Sequence, residues 1–362
     1  MRIGIIGLPQ SGKTTLFDAL TQTDPNQVEP HTRREGHVGL VKVPDARLDW
    51  LHTLYPKAKK TPATIEYIDT GGLAKGSAQQ ESFQDRFLAQ LKNIDALLLV
   101  IRLFESEAVP HPEGGLDPKR DFALVEDEFF LSDMSILEPR VERLAKEVKK
   151  VKDPEREREL ELLQRCLSAL EDGQALRELA FTEAEEKILR GYQFLTAKPM
   201  LIVLNIGEEQ LKQQTELRKQ FSQLLAGKNR LVDCICAKLE MEIAQLPEDE
   251  KEAFQRELGI DEPALNKTIR DSYRLLGLIS FFTAGDKEVR AWTIRAGTRA
   301  QVAAGAIHSD MERGFIRAEV VDFETLQTLG SFTRCKEEGK LRLEGKEYVV
   351  QDGDVITFRF NV

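Results

Sequence analysis

Short, almost continuous apolar runs alternate with helix-like segments over the first third of the chain. Runs of this kind predict strands buried on both faces, as in a mostly parallel sheet covered by helices. Helices are predicted over residues 13–21 and 82–93. The pattern therefore predicts an α/β domain. The candidate strands are RIGIIG (2–7), ATIEYID (63–69), ALLLVIR (96–102), PMLIVLN (199–205) and LVDCICA (231–237).

Residues 122–194 show a different pattern, with apolar positions three or four residues apart and charged residues between them. The pattern is interrupted at Asp153-Pro154 and then resumes. This periodicity predicts an antiparallel helical hairpin, whose charged faces could bind a partner or simply be solvated. The apolar positions are Val141, Leu144, Val148 and Val151, then Leu160, Leu163, Leu167 and Leu170.

From about residue 278 strand-like runs alternate with Gly and Asp turns, which predicts a small β-rich module. Within it, RAQVAAGAIHSDMERG (299–314) is predicted as one helix. Lys287, Arg290, Trp292 and Arg295 lie close together in the sequence. Such side chains can clamp RNA, or Trp292 can be a core residue beside solvated charges.

Composition limits the classes of function. The 362 residues allow two or three domains, and 41% hydrophobic with 31% charged residues is typical of globular proteins. The net charge of −10 excludes a global basic field, so RNA contact would need a local patch, and DNA is not expected.

No apolar run has the roughly 18 residues of a membrane span, and the N-terminal MRIGIIG is a predicted strand rather than a signal peptide. Four scattered cysteines suit structural roles in a reducing compartment. We therefore expect a cytoplasmic protein without a membrane partner. The five histidines form no triad or metal cluster by spacing, and we expect them at the surface or in packing.

Residues 7–14, GLPQSGKT, match the phosphate-binding loop G-x-x-x-x-G-K-[ST] between a predicted strand and a predicted helix. The glycines let backbone amides fold around phosphates, and the helix N-terminus adds positive potential. Lys13 is expected to reach the β- and γ-phosphates, and the Thr14 hydroxyl to bind Mg²⁺. The loop predicts binding of a nucleoside triphosphate.

The sequence DTGG, residues 69–72, follows a predicted strand. Its D-x-x-G spacing places Asp69 near Mg²⁺ and the Gly72 amide near the γ-phosphate. Leu73 then stands where Ras-type enzymes carry the Gln that orients the attacking water. A Leu side chain cannot hydrogen-bond, so another group must position the water, and we predict slow intrinsic turnover.

The predicted strand over 199–205 ends in Asn205-Ile206-Gly207-Glu208, where related domains carry the guanine reader Asn-Lys-x-Asp. The Asp of that reader binds the N1–H and 2-amino groups, which adenine lacks. Glu208 is one methylene longer, and Ile206 can cover the ring but brings no charge. Asn205 keeps an amide that suits the N6/N7 edge of adenine. We expect ATP to be preferred, with GTP, dual use or an empty loop as alternatives.

Together these segments resemble the Obg-like ATPase (YchF) family. The resemblance rests on GLPQSGKTTLF, DTGGLAKG, RFLAQLKNIDALLLVIRLFE, the N-x-x-E loop and the tail. The tail, FFTAGDKEVRAWTIRAGTRAQVAAGAIHSDMERGFIRAEV with LEGKEYVVQDGDVITFRFNV, is similar to that family's TGS domain. The family implies ATP hydrolysis in preference to GTP and association with the ribosome or RNA through the TGS domain and the arm.

The resemblance also implies the domain organisation. It predicts a Ras-like P-loop NTPase domain over 1–121 and 195–277 and an inserted α-helical coiled-coil arm over 122–194. A β-grasp (TGS) domain is predicted over 278–362. The fold class is thus α/β with a helical insertion and a C-terminal β-grasp module.

Three departures from the family's pattern bear on turnover. Gln10 stands where the family's phosphate loop has an Asn, which in related hydrolases helps to hold a potassium ion. In the first switch, EPHTRREGHVG, Thr32 is the best match for a second magnesium ligand. The second switch keeps Lys75-Gly76 but lacks the glycines that follow in the family. This predicts a divergent member with altered activity.

The leading hypothesis is a Mg²⁺-dependent ATPase that regulates translation at the ribosome. The alternatives are a GTP-binding switch and a nucleotide-gated RNA- or ribosome-binding module with vestigial hydrolysis. Catalysis is assigned to Lys13, Asp69 and Gly72, and Mg²⁺ to Thr14, Thr32 and Asp69. The predicted nucleotide contacts are Pro9, Gln10, Ser11, Gly12, Lys13, Thr14, Thr15, Asn205, Ile206 and Glu208, with Cys236, Ala237 and Lys238 of CAKLE near the base by resemblance.

Overall fold

Alternating strands and helices run along most of the chain. The computed structural model describes residues 1–22, 37–70, 87–257, 260 and 262–361. The strands are β1 (Arg2–Ile6), β2 (His37–Lys42), β3 (Lys59–Thr61), β4 (Thr64–Asp69), β5 (Ala96–Arg102), β6 (Met200–Asn205), β7 (Arg230–Ile235), β8 (Leu278–Ala284), β9 (Glu288–Arg295), β10 (Phe315–Asp322), β11 (Arg342–Glu344) and β12 (Asp354–Phe360).

The helices follow the same chain order. They are α1 (Lys13–Thr21), α2 (Ala46–Leu54), α3 (helical over 87–92), α4 (Pro118–Lys150), α5 (Pro154–Glu171), α6 (Glu183–Leu189), α7 (Gln214–Leu225), α8 (Ala237–Gln245), α9 (Glu248–Glu257), α10 (Ala264–Leu275), α11 (Ala300–Ile307), α12 (Ser309–Arg313), α13 (Phe323–Leu329) and α14 (Phe332–Glu337). Among the described helices, none combines the length and apolar character that a membrane span needs.

The contacts divide the chain into two units. The first unit contains Met1–Gly39 and Glu66–Thr268, and the second contains Leu40–Ile65 and Ile269–Val362. The predicted domain division had not placed residues 40–65 with the C-terminal third. They belong there because β3 pairs with β9, and this pairing is invisible to local sequence patterns.

A six-stranded sheet in the order β2-β4-β1-β5-β6-β7 forms the centre of the first unit. The pairs from β4 through β1, β5 and β6 to β7 are parallel. Every residue of β5 and β6 is buried, as their continuous apolar runs predicted. All five predicted strands are present, and the strand order is that of a Ras-like domain. Because the strands are parallel, their carboxyl ends meet at one edge, where the loops that follow them converge.

The helical hairpin of the first unit consists of α4 and α5, so the predicted hairpin is confirmed, although α4 begins at Pro118 rather than at residue 122. Asp117 caps α4, since its carboxylate accepts hydrogen bonds from the Lys119 and Arg120 amides. Asp153 caps α5 in the same way. Buried apolar side chains of the two helices form one cluster; they include Leu144, Leu163, Cys166 and Leu170.

Two buried polar contacts hold the base of this hairpin. Arg177 donates from Nη1 to both carboxylate oxygens of Glu126 at 2.8 Å, with side chains 0% and 7% exposed. Asp133 of α4 accepts hydrogen bonds from the Leu195 and Thr196 amides at 2.9 and 2.8 Å. Charged groups removed from water are stable only when they are paired in this way. These contacts join α4 to the chain that leads into β6.

The second unit has the topology of a β-grasp. The β8–β9 hairpin is followed by α11, and the last strand, β12, pairs in parallel with β8. The sheet order is β11-β10-β12-β8-β9-β3. Ala300, Ala303 and Ala304 of α11 are fully buried against Phe281, because small side chains let the helix approach the sheet. The predicted C-terminal β-grasp is confirmed in its topology.

The predicted helix over 299–314 is wrong in its continuity. It is divided into α11 and α12 at His308, whose backbone is extended (φ −160°, ψ 141°). The His308 Nδ1 accepts a hydrogen bond from the Asp310 amide at 3.2 Å. His308 therefore ends one helix and caps the next, which the apolar periodicity did not reveal.

Residues 40–65 are held in the second unit by side chains as well as by β3. Arg47 donates to Asp45 within α2's cap and to Asp352 at 2.8 Å. The Trp50 ring meets Phe323 edge-on, with centroids 5.5 Å apart. An aromatic edge contact and a charge-assisted pair of this kind stabilise the attachment of α2 to the unit.

Candidate nucleotide site

The loop between β1 and α1 has a backbone that only glycine allows at two positions. Gly7 has φ 148°, and a Cβ there would lie 2.4 Å from the Val100 carbonyl oxygen. Gly12 has φ 91°, and a Cβ there would lie 2.2 Å from Asn205 Nδ2. The close approach of neighbouring chain segments thus explains both glycines of the motif.

Gln10 adopts a left-handed conformation with φ 62°, which is uncommon for a residue with a side chain. Its side chain is exposed, whereas Ser11 is buried, and Pro9 and Thr15 are half-buried. An Asn tolerates this backbone conformation better than a Gln. The substitution of Gln for the family's Asn therefore falls at a strained position of the loop.

Lys13 opens α1 with its side chain folded over the loop. Its Nζ donates a hydrogen bond to the Leu8 carbonyl at 2.7 Å, and the residue is 7% exposed. Burial lowers the pKa of Lys13 to about 8, while the charge of Asp69 acts in the opposite direction. A polyanionic ligand would reverse this shift, because it would favour the charged ammonium.

Thr14 and Asp69 bring two oxygen ligands together. The Thr14 Oγ1 donates to Asp69 Oδ2 at 3.0 Å. The contact arises because β4 pairs with β1 with Asp69 opposite Ile5, next to the phosphate loop. Hydroxyl and carboxylate oxygens are the hard ligands that Mg²⁺ prefers. This pair fits a magnesium ion that takes its remaining ligands from phosphates and water.

Part of the predicted metal and catalytic set is not among the described residues. Thr32 and Gly72, together with Leu73, are outside the described residues. Just before them, Thr70 Oγ1 donates to the Ile5 carbonyl at 2.7 Å and fixes the start of the second switch. Within the described ranges there is no group of three or more His, Cys, Asp or Glu that could hold a metal.

Asn205 connects three segments of the site. Its Nδ2 donates to the Ser11 carbonyl at 2.9 Å, and its Oδ1 accepts from the Ala237 amide at 3.0 Å. The residue is 4% exposed. The sequence interpretation made Asn205 a reader of adenine, whereas the structure shows its amide joining the phosphate loop to the start of α8.

Ile206 does not lie where a base ring could stack on it. Its side chain is 2% exposed and packs in the apolar core of the first unit, and its amide donates to the Ile235 carbonyl at 2.9 Å. The expectation that Ile206 covers the ring is therefore corrected. Because the side chain of a residue at this strand end points into the core, its apolar character serves packing.

Glu208 is paired with Lys238 across the two base loops. The Lys238 Nζ lies 2.8 Å from Glu208 Oε1, and the side chains are 67% and 50% exposed. The hydrogen bond to Glu208 raises the pKa of Lys238. Two residues predicted separately as base contacts therefore bind each other across the two loops.

Cys236 and Ala237 are buried at the beginning of α8. Burial raises the pKa of the Cys236 thiol, so it is a packed neutral thiol rather than a reactive one. All four cysteines are buried and free of disulfides, as their spacing suggested. Ala237 contributes its amide to Asn205, and this shows why the CAKLE segment lies at the site.

His111 was missed as a residue of this region. Its Nε2 lies 3.0 Å from Asp121 Oδ2, and its Nδ1 accepts from the Glu113 amide at 3.1 Å. The imidazole therefore carries its proton on Nε2 and donates it to Asp121. His111, Asp121 and Arg102 line a tight pocket together with Pro9 and Ser11 of the phosphate loop. No spacing in the sequence connects these residues.

Family profiles match two parts of the chain. A family described as "50S ribosome-binding GTPase" matches residues 2–130. The C-terminal family of YchF-type GTPases, described as a protein of unknown function, matches residues 278–361.

Known proteins are similar over the full length. The ribosome-binding ATPase YchF of Bacillus subtilis (strain 168) is 43% identical over 99% of this chain and 99% of that protein. The Escherichia coli O157:H7 protein of the same name is 39% identical over 100% and 99%. The Obg-like ATPase 1 of Caenorhabditis elegans is 35% identical over 100% and 92%.

A solved structure has the same fold. The Schizosaccharomyces pombe YchF GTPase superposes with a TM-score of 0.85 at 29% identity, covering 99% of this chain and 97% of that one.

Proposed function

The chain belongs to the YchF family of Obg-like ATPases, and from this premise we propose that it is a Mg²⁺-dependent nucleoside triphosphatase that prefers ATP to GTP and acts at the ribosome. One observation carries the proposal. The phosphate loop is folded for a triphosphate, with Lys13 held over it and the Thr14–Asp69 pair beside it at 3.0 Å. The relatives' names support the partner and the activity.

The residues of the loop would divide the work of hydrolysis. Backbone amides after Gly7 and the N-terminus of α1 would bind the β- and γ-phosphates. Lys13 would neutralise charge that develops on the phosphoryl oxygens. A bound Mg²⁺, held by Thr14 and Asp69, would supply further charge neutralisation. Positioning and electrostatics account for catalysis in such sites, since the protein forms no covalent bond to the phosphoryl group.

Water positioning is the step for which this chain lacks the usual residue. Leu73 cannot donate or accept a hydrogen bond, so the attacking water must be held by another group or by a partner. We propose slow turnover in the isolated protein and faster turnover with ribosomes. In this proposal the Gly72 amide donates to the γ-phosphate, and Thr32 is the second protein ligand of Mg²⁺ from the switches.

The state of Glu208 supports the proposed preference for ATP. A guanine reader needs a carboxylate free to accept two hydrogen bonds from the base, and the Glu208 carboxylate is engaged by Lys238 at 2.8 Å. Losing such a reader removes discrimination in favour of guanine. Relatives of this chain are named as ATPases and, in one case, as a GTPase, so GTP use is the alternative to test.

A location in the cytoplasm follows from the ribosomal role, and the C-terminal β-grasp unit and the α4–α5 arm are the proposed contact surfaces. The arm carries exposed charge on both helices, as in the Arg143–Glu147 and Arg156–Glu147 pairs. The domain limits of 122–194 for the arm and 278–362 for the TGS domain remain part of this proposal.

Competitive titration of ATP and GTP against the full chain tests the base preference. We expect ATP to bind more tightly. Binding of GTP that is about tenfold tighter, a difference of about 1.4 kcal/mol, would reject the adenine preference and favour the GTP-switch alternative.

Phosphate release tests the enzymatic role. Wild type, Lys13→Ala and the control Lys219→Ala, an exposed residue of α7, are compared with and without ribosomes. We expect release by wild type and Lys219→Ala, highest with ribosomes, and a background rate for Lys13→Ala. If wild type stays at the Lys13→Ala rate in both conditions, the protein is a binding module and the hydrolase proposal fails.

A further inference from the structure

We propose that the cavity between α7, the end of β7 and the start of α10 binds a small zwitterion of the α-amino acid class. The cavity lies in the first unit and has a volume of about 190 Å³. A water occupies roughly 30 Å³ in the liquid, so the cavity has the space of about six waters and suits a molecule the size of alanine or serine. The polar residues that line it are Gln214, Thr215, Arg218, Asp233, Glu262 and Lys267.

Arg218 supplies the cation of this cavity. Its side chain is half-buried on α7, and its guanidinium has no hydrogen-bond or ion-pair partner among the described residues. The positions three and four residues away on the helix carry no carboxylate that could pair with it. A guanidinium that is already partly desolvated interacts more strongly with an anion than a fully solvated one does. Its planar fork of N–H groups matches a carboxylate, which it can bind through two parallel hydrogen bonds.

Lys267, the second cation of the lining, is committed to a buried carboxylate. Its Nζ lies 2.9 Å from Asp233 Oδ1, and the Asp233 side chain is 3% exposed. Asp233 Oδ2 also accepts a hydrogen bond from Thr268 Oγ1 at 3.0 Å. Because a buried carboxylate is costly without its cation, Lys267 is held by Asp233. Arg218 is therefore the group that would bind the carboxylate of a ligand.

The carboxylates of the lining decide the charge of the ligand. Asp233 and Glu262 equal the two cationic lining residues in number. A dianion such as phosphate would therefore bring charge that the walls do not balance, whereas a zwitterion brings no net charge. The ligand's carboxylate would bind Arg218, with the Thr215 hydroxyl as a further donor. Its ammonium would face Glu262, whose oxygens can each accept more than one hydrogen bond.

The remaining walls of the cavity are fixed and uncharged. Gln214 donates from Nε2 to the Cys234 carbonyl at 2.6 Å, which ties α7 to β7. Burial raises the pKa of the Cys234 thiol to about 12, so the thiol is neutral. The Ala264 amide, at the start of α10, donates to Glu240 Oε1 at 2.8 Å. A cavity with walls held in this way loses little conformational entropy when it binds a ligand.

Arg218 could instead serve only to offset the negative charge of Asp233 from a distance. That role would need neither the cavity nor Glu262, and it would give no binding of small molecules. The experiment below separates the two roles.

Binding of L-alanine to the full chain without nucleotide is measured by saturation-transfer NMR, with three related compounds as tests of its groups. Propionate lacks the ammonium, ethylamine lacks the carboxylate, and L-tryptophan has both charges but exceeds the cavity. We expect a Kd for L-alanine on the order of 0.1–1 mM. Propionate and ethylamine should bind at least about tenfold more weakly, since each loses one charge-assisted contact. L-Tryptophan should not compete.

Two variants and a matched control assign the contacts to residues. Arg218→Gln should weaken L-alanine at least about tenfold. The control Lys219→Gln removes the same charge from the next residue of α7, which is exposed, and should stay within about twofold of wild type. Glu262→Gln should weaken L-alanine but not propionate. Urea unfolding checks that the variants fold, and the series of compounds on wild type tests the site independently of them.

Several results would overturn the proposal. They are no saturable binding of L-alanine or L-serine by wild type up to about 10 mM, propionate binding as tightly as L-alanine, and inorganic phosphate competing more strongly than L-alanine. Equal losses in Arg218→Gln and Lys219→Gln, or competition by L-tryptophan, would place the binding outside the cavity. The site goes beyond the proposed function. Its binding is measured without nucleotide, so its failure is distinguishable from failure of the hydrolase proposal, which is seen in phosphate release.

Discussion

Replacing Asn205 with alanine distinguishes a structural bracket from a base reader. The native amide donates to the Ser11 carbonyl at 2.9 Å and accepts from the Ala237 amide at 3.0 Å, in a position that is 4% exposed. Asn205→Ala deletes both bonds at once. The hydrogen bonds to its own backbone carbonyl, from Leu103 and Phe104, remain.

The expected loss of stability follows from the two groups left without a partner. A buried backbone group that loses its hydrogen bond costs about 1–3 kcal/mol. The Ser11 carbonyl and the Ala237 amide together therefore predict a loss of about 2–6 kcal/mol in the free energy of unfolding. Domains commonly have about 5–15 kcal/mol of stability, so the variant should still fold at 25 °C.

Nucleotide affinity separates the two roles more sharply. The bracket positions the phosphate loop, which binds the same triphosphate in ATP and GTP. Asn205→Ala should therefore weaken both nucleotides by the same factor. A base reader would instead lose affinity for the preferred base alone, because only that base would lose a hydrogen bond.

Urea unfolding and titration of both nucleotides are measured for Asn205→Ala and for Gln220→Ala, an exposed control on α7. The control should match wild type in both assays. Our interpretation is refuted if Asn205→Ala keeps its stability within about 0.5 kcal/mol while the ratio of ATP to GTP affinity changes about tenfold.

Three further predictions concern the phosphate loop and the arm. Because Lys13 has a pKa of about 8 in the free protein, it is charged below that pH and neutral above it, and a bound triphosphate restores the charge. Between about pH 8 and 10 ATP affinity should therefore fall by up to about tenfold per pH unit. Binding at about pH 9 should take up a proton, which calorimetry in two buffers of different ionisation enthalpy measures. Absence of proton uptake would contradict the lowered pKa of Lys13. Gln10→Asn, at a residue with φ 62°, should raise the free energy of unfolding by up to about 1 kcal/mol. It should also increase the stimulation of phosphate release by potassium. Equal release by the variant in KCl and NaCl would show that the family's Asn has no such role here. Arg177→Ala leaves the Glu126 carboxylate buried without its 2.8 Å partner and should cost about 3–5 kcal/mol in urea unfolding, whereas a cost under about 1 kcal/mol would mean that water reaches the carboxylate.

The order of the nucleotide site along the chain explains why much of it is visible in the sequence. Gly7 to Thr14 are contiguous, and the backbone conformation and helix N-terminus that bind phosphate form within that short segment. Asp69 is the last residue of a strand that is recognisable in the sequence, so its place beside Thr14 follows from parallel pairing with β1. The continuous apolar runs of β5 and β6 likewise predict strands covered on both sides.

The roles of the base-loop residues depend on hydrogen-bond and ion-pair partners in distant segments, which local sequence patterns do not predict. Asn205 was recognised as important, but its two bonds go to residues in separate segments. Glu208 and Lys238 were predicted separately and bind each other. His111 lies by the phosphate loop because the chain returns there before α4.

Sequence alone determined the phosphate loop, the family, the α/β alternation and the helical arm, because each depends on residues near one another or on a local period. Tertiary structure decided that residues 40–65 join the C-terminal sheet, and that Lys59 lies beside Lys287. It also decided that Ile206 faces the core and that Asn205 binds two loops. These features come from pairing between segments far apart in the chain, and the free energy of that pairing depends on burial and on hydrogen-bond partners that only the folded molecule brings together.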